Sequence, residues 1–203
     1  MKRGNVLLLA LAIVLGLFAA GAGSMMHDGM SARAQPSALE AAIAGVVRRM
    51  AMPGAMKNTR SPVANSPEAL RDGMLHFADH CTICHGNDGS GDTMMGHGMY
   101  PKPPDLRAEE TQKKTDGEIF WIIENGVRLT GMPGFGGEHS DAADSWKLVQ
   151  FIRHLPALTA EERVEMEKYN PKGPGDRKEE QEEQDFLNGA PAKTASQPEH
   201  HHH

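Results

Sequence analysis

The pentapeptide Cys81-Thr82-Ile83-Cys84-His85 constrains the folding of this chain most, because it holds both of the chain's cysteines and follows them at once with an imidazole. Two thiols three apart with a histidine directly after are the spacing of covalent haem attachment. The thiols add across the two vinyl groups on one edge of a haem, and His85, next in the chain, is then held under the iron. Other uses of the pair fit less well. A structural disulfide or redox dithiol needs no histidine, and a thioredoxin-like dithiol opens a helix in a βαβ unit that this sequence does not suggest. A zinc site needs four ligands, and there is no second cysteine pair.

Composition agrees with a small core stapled by a cofactor. The 203 residues are 39% hydrophobic but only 5% aromatic, with 22 Gly and 13 Pro, so much of the length is loop or linker rather than a large apolar core. The net charge of −6 and the lack of a basic patch with interleaved aromatics argue against nucleic acid as a partner. Part of that charge belongs to the C-terminal tail, so it says little about a docking surface.

The chain opens Met1-Lys2-Arg3 and continues as an unbroken apolar run from Val6 to Ala22. This reads as a membrane-targeting segment. It is longer than a typical signal core and at the lower limit for a spanning helix, while Ala20-Gly21-Ala22 has the small residues of a cleavage site. Residues 1–22 are therefore a retained anchor or a cleaved signal. Positive charge before the run places the remainder on the outer face, the periplasmic side of the inner membrane in a bacterium, anchored there or soluble after cleavage.

Residues 23–65 read as a Met- and Pro-containing linker with one short helix, begun by the capping box Ser37-Ala38-Leu39-Glu40 and continued to Met50. That helix has one apolar side for the domain or a partner, and Met52 to Pro67 is a second linker or a wrap along the surface. The folded domain, 66–157, starts with Ser66 as N-cap and Pro67 at the first helical position. Its first helix carries Gly73, Phe77 and Cys81 on one face, the glycine permitting close approach by another helix. After His85 come a turn-rich loop and an extended segment, Tyr100 to Leu106, in which prolines prevent helix. Thr115 or Asp116 caps a helix ending at Asn125-Gly126, whose apolar face is expected against the cofactor. Ser140 or Asp141 caps another, running with Trp146, Leu148, Val149, Phe151 and Ile152 to Pro156. Residues 158–170 hold a C-terminal helix begun by the capping box Thr159-Ala160-Glu161-Glu162. Residues 171–203 form an acidic tail too polar to order itself.

The ligand on the far side of the iron decides between electron transfer and chemistry on a bound small molecule. Met132 is the candidate, because Gly131 and Pro133 hold it in a loop whose backbone can come close to the ring. Met94, Met95 and Met99 are rivals but precede the proline segment and need a tight return; His97, His139 or an open site complete the alternatives. Met25 to Met30 and Met94 to Met99 also have the thioether and imidazole content that suits copper(I), with flexible linker the plainer reading.

From Ser66 to Pro156 the chain resembles class I, single-haem cytochromes c. The resemblance rests on Gly73 and Phe77 leading into Cys81-Thr82-Ile83-Cys84-His85, then Pro103-Pro104-Asp105-Leu106, Thr130-Gly131-Met132-Pro133 and the Trp146 to Leu155 helix. It implies an all-α fold, a small helical domain wrapped around one covalently bound haem c, with His85 and Met132 on the iron. It further implies that Gly73 and Phe77 meet Leu148 and Phe151 where the first and last helices cross. The carbonyl of Pro103 or Pro104 would accept the other N–H of His85. Trp121 and Arg128 are brought to the haem or its propionates, a solvated role being equally open for Arg128. The implied function is carriage of single electrons between protein redox partners, the donor and acceptor unspecified. A haem enzyme or gas sensor with an open distal site, and an electron-entry subunit of a larger membrane oxidoreductase, are the alternatives. The extension before Ser66 and the acidic tail have no counterpart in the resemblance.

Overall fold

The computed structural model describes residues 3–27, 31–137 and 141–172, together with 184 and 187. Asp28 to Met30, the alternative ligand His139, the alternative cap Ser140 and most of the acidic tail lie outside the described residues. The helices are α1 (Arg3–His27), α2 (Ala38–Ala51), α3 (Gly54–Lys57), α4 (Pro67–His80), α5 (Thr82–His85), α6 (Met94–His97), α7 (Glu109–Gln112), α8 (Asp116–Asn125), α9 (Ala142–His154) and α10 (Ala160–Glu167). A single 3₁₀ turn, Leu155–Ala157, follows α9. Among the described residues there are no strands, so the fold is all-α as expected.

The core lies where α4 crosses α9. The Ser66 hydroxyl accepts from the Ala69 amide and Pro67 occupies the first turn, starting α4 as its sequence dictates. Gly73 faces α9 so closely that a Cβ there would overlap the Lys147 carbonyl oxygen and stand 2.7 Å from its carbon. That contact brings Phe77 and Phe151, 1% and 0% exposed, to a tilted ring pair 5.2 Å apart. Leu148, Val149, Ile152 and Leu155 join them in the core cluster. Asp141 begins α9 by accepting from the Ala143 amide.

The α8 helix leans on α9 from the side. Its Thr115–Glu118 capping box is reciprocal, and Ile119 and Ile123 enter the core. Phe120 stacks on Trp146 with centroids 4.1 Å apart. Arg153 of α9 ties down the corner before α8: Nε donates to Asp116 Oδ1 at 2.9 Å, Nη1 to the Gln112 carbonyl at 2.6 Å, and Nη2 to the Lys114 carbonyl. α10 then folds back onto α4, where Met166 is fully buried and Glu165 pairs with Arg71 at 2.6 Å. Its capping box forms as its sequence implies, and Glu162 also meets His154 at 2.9 Å.

Of the two readings of the stretch before Pro67, the structure has the wrap. Met52 is buried, the Met56 and Thr59 carbonyls lie against Gly117 of α8, and Gln150 donates to the Val63 carbonyl at 3.1 Å. The box at Ser37 is half formed. Ser37 accepts from the Glu40 amide, but the Glu40 carboxylate, instead of reaching back to the cap, accepts the Tyr100 hydroxyl at 2.5 Å.

Among the described residues one helix, over Gly4–Ser24, is long and apolar enough to cross a membrane, and none of it is buried against the rest of the chain. An anchor and a signal both fit that helix.

Candidate functional site

Cys81 ends α4, its amide donating to the Phe77 carbonyl at 2.9 Å, and the chain turns at once into the single turn of α5. Successive turns thus present Cys81, Cys84 and His85 together. Gly86, at φ 72°, lets the chain leave α5 in a conformation that side chains disfavour. The back of the motif is fastened: buried Thr82 donates to the Ala78 carbonyl at 2.8 Å. Asn170, beyond α10, pairs amide to amide with Asn87, both bonds 2.9 Å in the orientation that matches donors to acceptors.

The front is held by Thr93. Its hydroxyl donates to the Cys84 carbonyl at 3.2 Å and accepts from the Gly96 amide at 2.8 Å, capping α6 against the motif. The loop between closes with the Gly91 amide donating to the His85 carbonyl at 2.8 Å. Gly91, at φ 74°, lies so near the proline segment that a Cβ would stand 2.5 Å from the Pro103 carbonyl oxygen. Arg107 locks that segment to the loop, donating to both Asp105 oxygens at 2.9 and 2.8 Å and to Asp88 at 3.0 Å. Its hydrogen bonds hold the Asp105 carboxyl below its ordinary range. At Asp88 burial pushes the carboxyl up, but hydrogen bonds from Ser90 and the Arg107 charge outweigh it and the net direction is down.

Local environment sets the chemistry of the three motif residues. Burial, with Cys84 adding to it, pushes the Cys81 thiol up to about 12, and burial raises Cys84 as well. Both cysteines are unpaired. Thiols raised in this way stay protonated at neutral pH, the reverse of what a dithiol oxidoreductase needs. Burial lowers the pKa of His85, outweighing the opposite effect of the Pro104 carbonyl, so the imidazole is neutral and able to ligate. Its Nδ1 is buried without a hydrogen-bond partner: the Pro104 carbonyl acts on the ring but does not meet hydrogen-bond geometry. Of the two prolines that the resemblance offered, Pro104 is the one that influences His85.

The Met132 loop is zipped back along the end of α8. Gly126, at φ 64°, turns the chain; the Val127 amide donates to the Met132 carbonyl at 3.1 Å, and the Met132 amide to the Thr130 hydroxyl at 3.2 Å. Phe135 and Gly136 amides then donate to the Ile123 and Glu124 carbonyls, each at 2.9 Å. Met132 is half-buried, as is Trp121 on α8, whereas Arg128 is exposed on the turn. Met99, one of the rival sulfurs, comes back to this loop: its sulfur would lie 3.0 Å from a Cβ on Gly131. The α6 turn and the cap at Thr93 draw the chain back before the prolines begin. His97 is turned away to Asp92, at 2.5 Å.

Thr93, Arg107 and Asn170 were not singled out from sequence. Thr93 before Met94 has a recognisable cap pattern, but the partners of Arg107 and Asn170 lie far off in the chain. The donor set, two free thiols one turn apart beside a neutral imidazole whose buried Nδ1 has no partner, fits covalent haem. Among the described residues no three His, Cys, Asp or Glu side chains gather as a metal cluster.

Residues 68–152 match the family model described as cytochrome C oxidase, cbb3-type, subunit III. Among solved structures, the chain is similar to a chain of the Kuenenia stuttgartiensis reducing HAO-like protein complex, at 22% identity and a TM-score of 0.41, with 46% of each chain covered. The chain thus spans less than half the length of that protein. No curated protein matches.

Proposed function

We propose, from the premise that residues 68–152 are a c-type cytochrome domain carrying covalently bound haem c, that this chain shuttles single electrons outside the cytoplasm, held to the membrane by residues 6–22. The observation that carries the reading is the environment of the Cys81 to His85 turn: two unpaired thiols and a neutral imidazole whose buried Nδ1 has no partner. When bound, the haem supplies one-electron exchange at its iron. Cys81 and Cys84 would make it part of the chain, and His85 would be a ligand to its iron. Pro104, steadied by Arg107, orients the imidazole.

Met132 would be the second ligand in this reading, a thioether that would raise the potential of the iron. Ile83, between the cysteines, is 47% exposed, which favours docking of protein redox partners at that edge. Trp121 on α8 and Arg128 on the turn leading to Met132 are assigned to the haem surroundings, a solvated role being equally open for exposed Arg128. The alternative of an enzyme or sensor would need an open distal site, for which no specific observation speaks. Met99 does have one, its position against Gly131, and is the second candidate sulfur.

The test is the far-red sulfur-to-iron absorption of the oxidised, haem-loaded protein in Met132→Ala and Met99→Ala. Loss of the band in Met132→Ala alone is the expected result. Loss in Met99→Ala alone would reassign the ligand, and persistence in both would overturn ligation by either sulfur. Rapid carbon monoxide binding by the reduced unmutated protein would refute the carrier role.

A further inference from the structure

The α2 helix is seated the wrong way round for a helix that serves only its own domain. Its small residues Ala41, Ala42 and Gly45, with Arg48 and Arg49, line the groove against α7 and α8, beside Glu110, Lys113, Lys114 and Glu118. Its large apolar residues point outward: Leu39, Ile43, Val46, Val47 and Met50 are 71%, 56%, 46%, 59% and 79% exposed. These five recur at i, i+4, i+7, i+8 and i+11, so they form one continuous stripe. The helix has no buried residue, yet both ends are held to the domain, by the Glu40–Tyr100 bond and by buried Met52. The stripe is therefore presented at a set orientation. An exposed apolar surface of this kind on a soluble domain marks something that covers it.

We infer that the cover is the lipid bilayer, and that α2 lies in the headgroup plane as a second contact beside the spanning helix. This rests on the reading of residues 6–22 as a retained anchor. About ten residues separate His27 from Ala38, at most about 36 Å of extended chain, so α2 stays within reach of the surface that α1 enters. Exposed Arg49 flanks the stripe in the last turn and Lys57 follows the helix, cations suited to anionic lipid phosphates, while Glu40 is engaged by Tyr100. A helix laid in this way would fix the tilt of the cytochrome domain and which face it turns to partners.

The experiment uses the full, haem-loaded chain in nanodiscs of phosphatidylethanolamine and phosphatidylglycerol doped with a lipid carrying a photoreactive acyl chain. After irradiation, lipid adducts are mapped by mass spectrometry. Adducts on the 38–51 peptide as well as on 6–22 are expected, with loss from 38–51 in Ile43→Asp/Val47→Asp at unchanged haem absorption. Ile43→Leu/Val47→Leu should retain them. Adducts on 6–22 alone would overturn the inference, whatever protein surface then covers the stripe, and would leave the anchor standing. Adducts on 38–51 alone would uphold the seat of α2 in the bilayer and overturn the spanning helix beside it.

Discussion

Replacing Gly73 by alanine sets two effects of opposite sign against each other at the helix crossing that carries the core. Alanine in a helix interior is favoured over glycine by about 1 kcal/mol. Against this, the new Cβ would overlap the Lys147 carbonyl oxygen and stand 2.7 Å from its carbon, where ordinary contact starts near 3.4 Å. Both obstacles are backbone atoms and cannot rotate away, so α4 and α9 must part by the better part of an ångström. That motion loosens the Phe77–Phe151 pair and Leu148, all within 2% of complete burial. Overpacking costs about 1 to 3 kcal/mol, and rigid partners place this case in the upper half of that range. The net expectation is a loss of about 1 to 2 kcal/mol. Gly45→Ala is the control, because a Cβ there meets nothing within 4 Å and should bring only the propensity gain. Guanidinium unfolding of the haem-loaded protein in detergent, followed by Trp121 and Trp146 emission, should show a midpoint about 0.5 M lower for Gly73→Ala. The midpoint for Gly45→Ala should be equal to wild type or higher. A Gly73→Ala midpoint at or above wild type would refute the close-crossing argument.

Two further outcomes can be checked directly. Arg107→Ala should cost on the order of 1 kcal/mol at pH 6, a modest figure because the clamp is partly exposed and screened. Since Arg107 holds the Asp105 carboxyl below its ordinary range, that stabilisation is complete above the unfolded carboxylate pKa, near 4, and is lost as pH falls through the depressed folded value. Denaturation curves of the two proteins should therefore converge below about pH 4, and a difference that grew on acidification would contradict the assignment. Thr93→Val removes both the bond to the Cys84 carbonyl and the cap on α6, and should lower thermal stability by about 1 to 2 kcal/mol. Thr93→Ser should restore most of it, because only the hydroxyl is used.

Helix starts were legible because they are local. Ser66-Pro67, Thr115 with Glu118 and Thr159 with Glu162 satisfy their own amides within one turn, and each begins a helix where its pattern places it. The same locality fails at Ser37, where Tyr100 competes for the Glu40 carboxylate from a distant part of the chain. Nor does locality say which side chains of the protein the apolar face of α8 meets. Ile119 and Ile123 pack in the core and Phe120 stacks on Trp146, a partner that periodicity alone could not name. The short turns of α6 and α7 carry too few residues to leave a periodic signal.

By itself, the order of residues determined the haem attachment motif, the all-α class, the long apolar segment and the close approach at Gly73, since each depends on neighbours within a turn or on a side chain's absence. The tertiary structure alone decided which proline acts on His85, that Met99 returns to the Met132 loop, that Arg107 spans Asp88 and Asp105, and that α2 faces its large side chains outward. Those arrangements join residues far apart in the chain, and no local pattern encodes which distant group comes to lie within bonding distance.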